Sequence, residues 1–227
     1  MKLKGAVFDL DGTLASTAKA HKIAWELSLK QLGFKLKIDM ESLLGKRAMD
    51  IALFLIEKAG INDINQKNEL AKRLLEIKSS IFAPYIMKYA EPMPCAIQLL
   101  NTLKKNQVKI LIVTSSLKIT ALKVLEKINI NPDILISGDD VIRGKPDPEP
   151  TILALEKSSL RPEDIIFAVG DTIYDIISFS EAKIKTIYLT NGDIRVPIDE
   201  SLLKKYNAIK INSLCDILMK LQSLHFQ

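Results

Sequence analysis

The sequence predicts a doubly wound α/β protein: a parallel sheet with helices on both faces, carrying an all-helical insertion after its first strand. Three observations lead there. From residue 108 onward, short apolar or β-branched runs alternate with stretches of helical spacing, which is the pattern of a parallel sheet. Between about 16 and 87 no strand-like alternation of any length occurs, so a block of some 70 residues reads as helical throughout. The strand-like runs end in carboxylates, hydroxyls or a lysine turn, and a parallel sheet gathers such ends on its carboxyl edge.

The elements follow in order. Residues 3–9 form the first strand; Val7 and Phe8 end its buried run and Gly12 breaks it. From Thr17 the spacing turns helical, with Ile23, Leu27 and Leu32 on one face and Gly33 as the stop. Helical spacing continues over 39–44, 47–59 and 66–82. Pro84, Pro92 and Pro94 then punctuate the chain and mark a hinge back to the sheet. A helix over 95–105 precedes the strand at 108–113. Next come a helix (118–128), a strand (134–136), a helix (148–157), a strand (165–169) and a helix (173–182). A strand (186–189), a strand-like run (208–211) and a helix (213–224) finish the pattern. The expected domains are a core made of 1–15 and 88–227, and a helical cap over 16–87, placed as a lid on the carboxyl edge.

The bulk properties narrow the function classes. The 227 residues suffice for one large domain or a core with a small insertion, and 48% hydrophobic residues imply a sizeable core. The formal charge of +5 comes from scattered basic residues without interleaved aromatics, so no nucleic-acid partner is expected. A small anionic partner is compatible with the charge. No run approaches the roughly 18 apolar residues of a membrane span, and Met1-Lys2-Leu3-Lys4 leads straight into a strand without an apolar leader. The expected setting is cytoplasmic, as a monomer or homodimer. Cys95 and Cys215 are far apart, in apolar contexts and without metal-ligand spacing, and read as reduced, buried thiols.

The chemistry starts at Asp9 and Asp11, one residue apart where a strand meets a loop. Two acids this close repel, so a cation or a shared proton must hold them together. Mg²⁺ suits that arrangement, with one carboxylate attacking and the other moving protons. Three further strand ends carry informative residues: Thr114-Ser115-Ser116, Lys145 in Gly144-Lys145-Pro146, and Gly170-Asp171-Thr172-Ile173-Tyr174-Asp175. Each has a plainer reading. Asp11 before Gly12 could form a turn, Thr114 could cap a helix, and Lys145 could be a surface lysine. Asp175 could serve only the first turn of its helix.

Taken in order, these stretches resemble the four motifs of the haloacid dehalogenase superfamily over nearly the whole chain. Asp9-Leu10-Asp11-Gly12-Thr13 is similar to the first motif, Thr114 to the second, Lys145 to the third and Gly170–Asp175 to the fourth. The resemblance implies a phosphoryl-transfer enzyme with Asp9 as nucleophile, forming an aspartyl phosphate, and Asp11 as general acid and then base. It implies Mg²⁺ on the Asp9 carboxylate, the Asp11 backbone carbonyl and Asp171, with Asp175 further out. Thr114, Ser115 and Lys145 would bind the phosphoryl oxygens.

Within that superfamily Asp11 argues against the dehalogenases, which lack the second acid. The branches that remain resemble phosphoglycolate and sugar-phosphate phosphatases, or β-phosphoglucomutase. Gly170-Asp171 favours a phosphatase acting on a small phosphorylated metabolite. Thr17 to Trp25 favours the mutase, because His21 falls where mutases place a hinge histidine; His21 could equally be an ordinary residue of an amphipathic helix. Thr13, His21, Lys46 and Arg47 are the candidates for the substrate side, the last two suiting an anionic substrate end or, equally, facing water at a helix start. A binding module without catalysis is a remote alternative, since every catalytic position is filled. The chain departs from the family pattern at Ser16-Thr17, where a hinge carboxylate is usual, at Cys95, and at Lys183.

Overall fold

In the computed structural model, which describes residues 4–194 and 197–223, the first strand lies inside the sheet with neighbours on both sides. β1 (Gly5–Phe8) leads to the two-residue β2 (Ala15–Ser16), then to α1 (Ala18–Gln31), α2 (Ala48–Lys58) and α3 (Ile64–Tyr89). β3 (Glu91–Pro92) pairs antiparallel with β2 and closes the helical excursion. There follow α4 (Ala96–Lys105), β4 (Lys109–Val113), α5 (Lys118–Lys127), β5 (Ile134–Ile136) and α6 (Glu149–Ser158). The remainder is β6 (Ile165–Gly170), α7 (Ile173–Glu181), β7 (Ile187–Leu189), α8 (Glu200–Lys205), β8 (Ala208–Lys210) and α9 (Leu214–Ser223). Leu3 and Leu224, at the outer ends of the first expected strand and the last expected helix, lie outside the described residues.

The six-stranded sheet has the order β5-β4-β1-β6-β7-β8, and every neighbouring pair is parallel. Parallel strands need crossovers, and the helices that supply them cover both faces. Successive side chains of β1 therefore both find a core. Ala6 and Phe8 enter a cluster with Leu99, Val124 and Ile217, whereas Val7 enters one with Leu155, Ile176 and Phe179. Phe8 meets Phe167 edge-on at 5.6 Å, a geometry suited to the ring quadrupoles. A third cluster lies wholly within the helical excursion, around Trp25, Leu29, Leu55 and Leu74. The α/β class read from the sequence is thus the observed one.

Local departures have physical reasons. Residues 39–44 make only one 3₁₀ turn, Glu41–Leu43. The chain does not break at Pro84: α3 runs through it to Tyr89. The Pro84 ring is exposed, while Phe82 and Ile86 on either side are buried. An interior proline costs about 3 kcal/mol, which two buried large side chains at roughly 1.5–3 kcal/mol each offset. α8 and the β2–β3 ribbon are too short to leave a periodic signal.

The cysteines overturn their expected state. Cys95 and Cys215, 120 residues apart, form a disulfide rather than two reduced thiols. It joins the start of α4 to α9, two helices that pack together through Leu99, Leu103, Ile217 and Leu221. Among the described residues no helix is long and apolar enough to cross a membrane.

Candidate active site

The carboxyl edge of β1 is where the chemistry-bearing residues meet. Asp9 follows Phe8 and donates its backbone N–H to the Val169 carbonyl of β6, at 3.0 Å. Phe8 is in register with Ile112 on one side and Val169 on the other. That pairing sets Asp9 between the end of β4, which leads to Thr114, and the end of β6, which leads to Asp171. The site lies where the chain crosses from one side of β1 to the other, the usual ligand position in an open α/β sheet.

Lys145 comes in from the loop before α6. Its Nζ donates to Asp9 Oδ1 (2.6 Å), Asp175 Oδ1 (2.5 Å) and the Val113 carbonyl (3.1 Å). All three side chains are less than a tenth exposed, so the sequence's plainer reading of a surface lysine fails. Burial pulls the Lys145 ammonium down, but Asp175 and Asp9 outweigh it and hold the group well above its ordinary value. Asp175 does two jobs. It closes a capping box at the start of α7, where its Oδ2 accepts from Thr172 N (3.0 Å) and Thr172 Oγ1 (2.6 Å), and its other oxygen faces Lys145.

Ligand oxygens of Asp9, Asp171 and Asp175 all lie within 4.8 Å of one another. Asp9 Oδ2 is buried and has no hydrogen-bond partner among the described residues. Burial, with Asp175 and Asp11 adding and Lys145 opposing, pushes the Asp9 carboxyl up to about 7. Burial and the charges of Asp9 and Asp175 raise Asp171 well above the usual carboxylate range. Three crowded carboxylates and one orphaned oxygen match a hard, oxygen-binding divalent cation. Gly12 and Gly192 keep that position open: a Cβ would lie 2.2 Å from Asp171 Oδ2 at the first and 2.1 Å at the second. Thr13 Oγ1 steadies Asp171 Oδ1 at 3.4 Å and is fully buried, so it supports an acid rather than facing a substrate.

Asp11 points away from this triad. Its Oδ1 accepts from Thr17 Oγ1 (2.8 Å) and meets His21 Nε2 (3.1 Å); its Oδ2 accepts from Ser116 Oγ (2.8 Å) and Thr114 Oγ1 (3.2 Å). Burial raises the carboxyl, yet His21 and the Thr17 and Ser116 hydroxyls outweigh it and hold Asp11 far below the usual range. His21 itself is pushed down by burial and by Lys78, against the pull of Asp11. At neutral pH the ring is therefore uncharged and donates Nε2–H, and the hydroxyl bonds give the part of the Asp11 depression that persists there.

The substrate-side candidates divide. His21, Lys46, Ser115 and Thr114 line a cavity of about 90 Å³ together with Asp9, Asp11 and Asp171. Lys46 Nζ lies 5.0 Å from the centre of the Phe54 ring. Arg47 does not line it. The Arg47 guanidinium grips Asp50 through two 3.1 Å bonds and donates Nη1–H to the Ile142 carbonyl on the far side of the cleft. Ser115 Oγ donates to the Gly45 carbonyl (2.9 Å), so its hydroxyl ties the two sides of the cleft together.

Sequence reasoning named Thr17 and Ser116 without giving them a role at Asp11, and missed Asp193 and Lys78. Asp193 Oδ2 accepts the Thr17 and Ala18 backbone N–H groups, at 2.6 and 2.8 Å, capping α1 from 175 residues away. It supplies the carboxylate that Ser16-Thr17 lacks. Lys78 is 2% exposed and sits on the buried stripe Ala71, Leu74, Leu75, Phe82 of α3. A lysine in register with that stripe was a readable signal.

The family model described as haloacid dehalogenase-like hydrolase matches residues 6–189, the stretch that contains every one of these strand ends. The chain belongs to the haloacid dehalogenase-like hydrolases. Among curated proteins, this hydrolase is 29% identical over 192 residues to the phosphoglycolate phosphatase of Aquifex aeolicus, covering 84% of this chain and 86% of that one. It is 27% identical over 166 residues to the β-phosphoglucomutase of Bacillus subtilis, covering 71% and 73%. Among solved structures, CbbY of Rhodobacter sphaeroides in complex with phosphate shares the fold, with a TM-score of 0.80 at 19% identity over 95% of this hydrolase and 96% of CbbY.

Proposed function

We propose that this hydrolase is a Mg²⁺-dependent phosphatase that cleaves a small phosphomonoester, phosphoglycolate or a sugar phosphate, through an aspartyl phosphate on Asp9. One observation carries the reading. Asp9 is buried at the strand end with one oxygen on Lys145 and the other unpartnered, beside two further carboxylates. Asp9, Asp171 and Asp175, with the Asp11 backbone carbonyl, would hold the ion, and bound Mg²⁺ supplies charge neutralisation at the transferring group.

Asp9 attacks phosphorus and the ester oxygen leaves, taking a proton from Asp11. The negative charge of a bound phosphoryl group pushes Asp11 up from its low resting state toward the protonated form this step needs. Water then attacks the aspartyl phosphate; Asp11 takes its proton, and phosphate departs from Asp9. Thr17 and Ser116 hold the Asp11 carboxylate in place for both transfers, while Lys145, Thr114 and the Ser115 backbone N–H would take phosphoryl oxygens. Residues 16–87 would act as a cap. The β2–β3 ribbon at 15–16 and 91–92 supports that division. A cytoplasmic setting rests on the metabolite substrate and no longer on the cysteines.

The His21–Asp11 contact favours the mutase as a second reading. Phosphate release from a panel of phosphomonoesters, with Mg²⁺ and with EDTA, separates the possibilities. Metal-dependent release that disappears in Asp9→Asn is expected. Release indifferent to EDTA or to that substitution would sink the reading, and conversion of β-glucose 1-phosphate to the 6-phosphate without release would establish the mutase.

A further inference from the structure

The start of α1 lacks a cap of its own. Thr17 stands at the N-cap, where a hydroxyl ordinarily accepts from a backbone N–H two or three residues on. It makes no such bond; Thr17 Oγ1 donates instead to Asp11 Oδ1, at 2.8 Å. The first turn carries no acidic side chain either. The N–H groups of that turn still need an acceptor, and Asp193 brings one from the loop after β7. Its Oδ2 takes the Thr17 N–H at 2.6 Å and the Ala18 N–H at 2.8 Å. That loop is fixed to the sheet. Thr190 N–H donates to the Gly170 carbonyl (2.9 Å), Asn191 Nδ2 to the Asn212 carbonyl (3.0 Å), and Gly192 packs on Asp171 with no room for a side chain. The turn of α1 that Asp193 holds carries both groups on Asp11 Oδ1: the Thr17 hydroxyl, and His21 Nε2 at 3.1 Å.

We propose that Asp193 is a positioning residue for proton transfer at Asp11: by capping α1 it releases the Thr17 hydroxyl to hold Asp11 Oδ1. This rests on the phosphatase reading above and gives that reaction a residue outside the strand-end motifs. Without the Asp193 carboxylate, the Thr17 hydroxyl is the local acceptor left at the N-cap. It turns to the N–H groups of α1, and Asp11 loses one donor while the turn bearing His21 is no longer held. The Asp11 carboxyl then meets the ester oxygen from a poorer position, and proton delivery of this kind is worth about 10²–10⁴-fold. A leaving group that departs as a stable anion does not draw on that proton.

The test pairs an alkyl ester with acetyl phosphate, whose acetate needs no proton to leave. The alkyl ester is phosphoglycolate or glucose 6-phosphate, whichever the native enzyme cleaves faster. The quantity to read is kcat/KM, because it reports the first transfer alone. Asp193→Ala should lower it by about 10–100-fold for the alkyl ester and by less than about threefold for acetyl phosphate. Asp193→Asn, whose amide oxygen can accept the same N–H groups, should stay within about threefold of native on both. Equal losses on the two substrates, as a merely structural cap would give, overturn the proposal; so does an Asp193→Asn as impaired as Asp193→Ala. If Asp193→Ala does not fold, Asp193→Glu displaces the carboxylate at constant charge and should show the same selective loss, an equal loss again overturning the proposal. Crystal structures read the arrangement independently of turnover. In Asp193→Ala, Thr17 Oγ1 should leave Asp11 and face the N–H groups of α1; an unmoved Thr17 overturns the assignment. If the native enzyme cleaves neither ester, the phosphatase reading alone fails, and the crystal structures still decide the role of Asp193.

Discussion

Lys145 and Lys78 are both buried lysines, and their surroundings give them opposite energetics. Lys145 has two carboxylates in contact; its removal strands buried negative charge. Lys145→Met should lower stability by about 3–5 kcal/mol and kcat by roughly 10²–10³-fold. Because a divalent cation held by this cluster would also neutralise Asp9 and Asp175, thermal melts should show Mg²⁺ restoring much of the lost stability; a melt indifferent to Mg²⁺ would contradict the shared-charge account. Lys78 lacks such a partner, and burial pushes it from 10.5 down to about 8 against the attraction of Asp11. As pH falls, the unfolded chain takes this proton first. Stability therefore drops as pH falls from about 10.5 to 8, and the whole penalty is present below 8. Lys78→Met should gain roughly 3 kcal/mol at pH 7, or about 5–10 °C in Tm for a chain of this size. The gain should shrink near pH 10.5. A variant that melts at or below the native temperature at pH 7 would refute it. Asp9, Asp11, Lys145, Asp171 and Asp175 were legible because each follows a strand end at a recognisable spacing. Lys78 reads as an ordinary surface lysine unless its register with the buried stripe of α3 is followed.

The elements show what local pattern can and cannot reveal. The strand at 134–136 was legible to the residue because its short apolar run, Ile134-Leu135-Ile136, is bounded by Asp133 and Ser137. α3 was not, because Pro84 looks like a stop until Phe82 and Ile86 are seen buried together. Cys95 has a left-handed backbone, φ 61°, at the start of α4, a conformation glycine favours. The departure from the family pattern at Cys95 is accounted for by the disulfide to Cys215. A closed loop of 120 residues corresponds to about 5 kcal/mol in the chain-entropy account, and native disulfides typically give about 2–5. Cys215→Ser should therefore lower Tm by about 5–15 °C. Thiol titration of the unfolded native protein should detect no free thiol before reduction and two after it. Two thiols before reduction would refute the bond. The trans-cap by Asp193 belongs at this scale as well, since it holds the end of α1 from which Thr17 and His21 reach Asp11.

Across the whole molecule, the helical excursion and the sheet share one apolar cluster through Ala20, Phe82 and Ile86, and a small polar clasp joins them at the cleft. Arg47 spans to the Ile142 carbonyl, and its stem crosses Gly144, where an added Cβ would lie 2.1 Å from Arg47 Cδ. Ser115 and Gly45 form the second point of contact. The clasp adjoins Lys145, so closure of the cleft would be linked to the positioning of that lysine. Arg47→Ala should lower kcat/KM about tenfold, through KM more than kcat, while changing stability by under about 1 kcal/mol, as expected for an exposed ion pair with Asp50. Gly144→Ala should reproduce the kinetic effect by displacing the same side chain. Unchanged kinetics in both would mean the cleft closes without the clasp.

Periodicity and strand-end chemistry by themselves determined the α/β class, the helical insertion and the acids and lysine at the sheet edge. These properties are local: alternating burial writes the elements into the sequence, and a parallel sheet must bring its strand ends together. Tertiary structure alone decided the Cys95–Cys215 bond, the Asp193 cap, the turn of Asp11 toward Thr17 and Ser116, and the exclusion of Arg47 from the cavity. It also decided the solitary ammonium of Lys78. Each depends on which residues, often more than a hundred positions apart, become neighbours once the chain is packed, and local spacing does not record that distance.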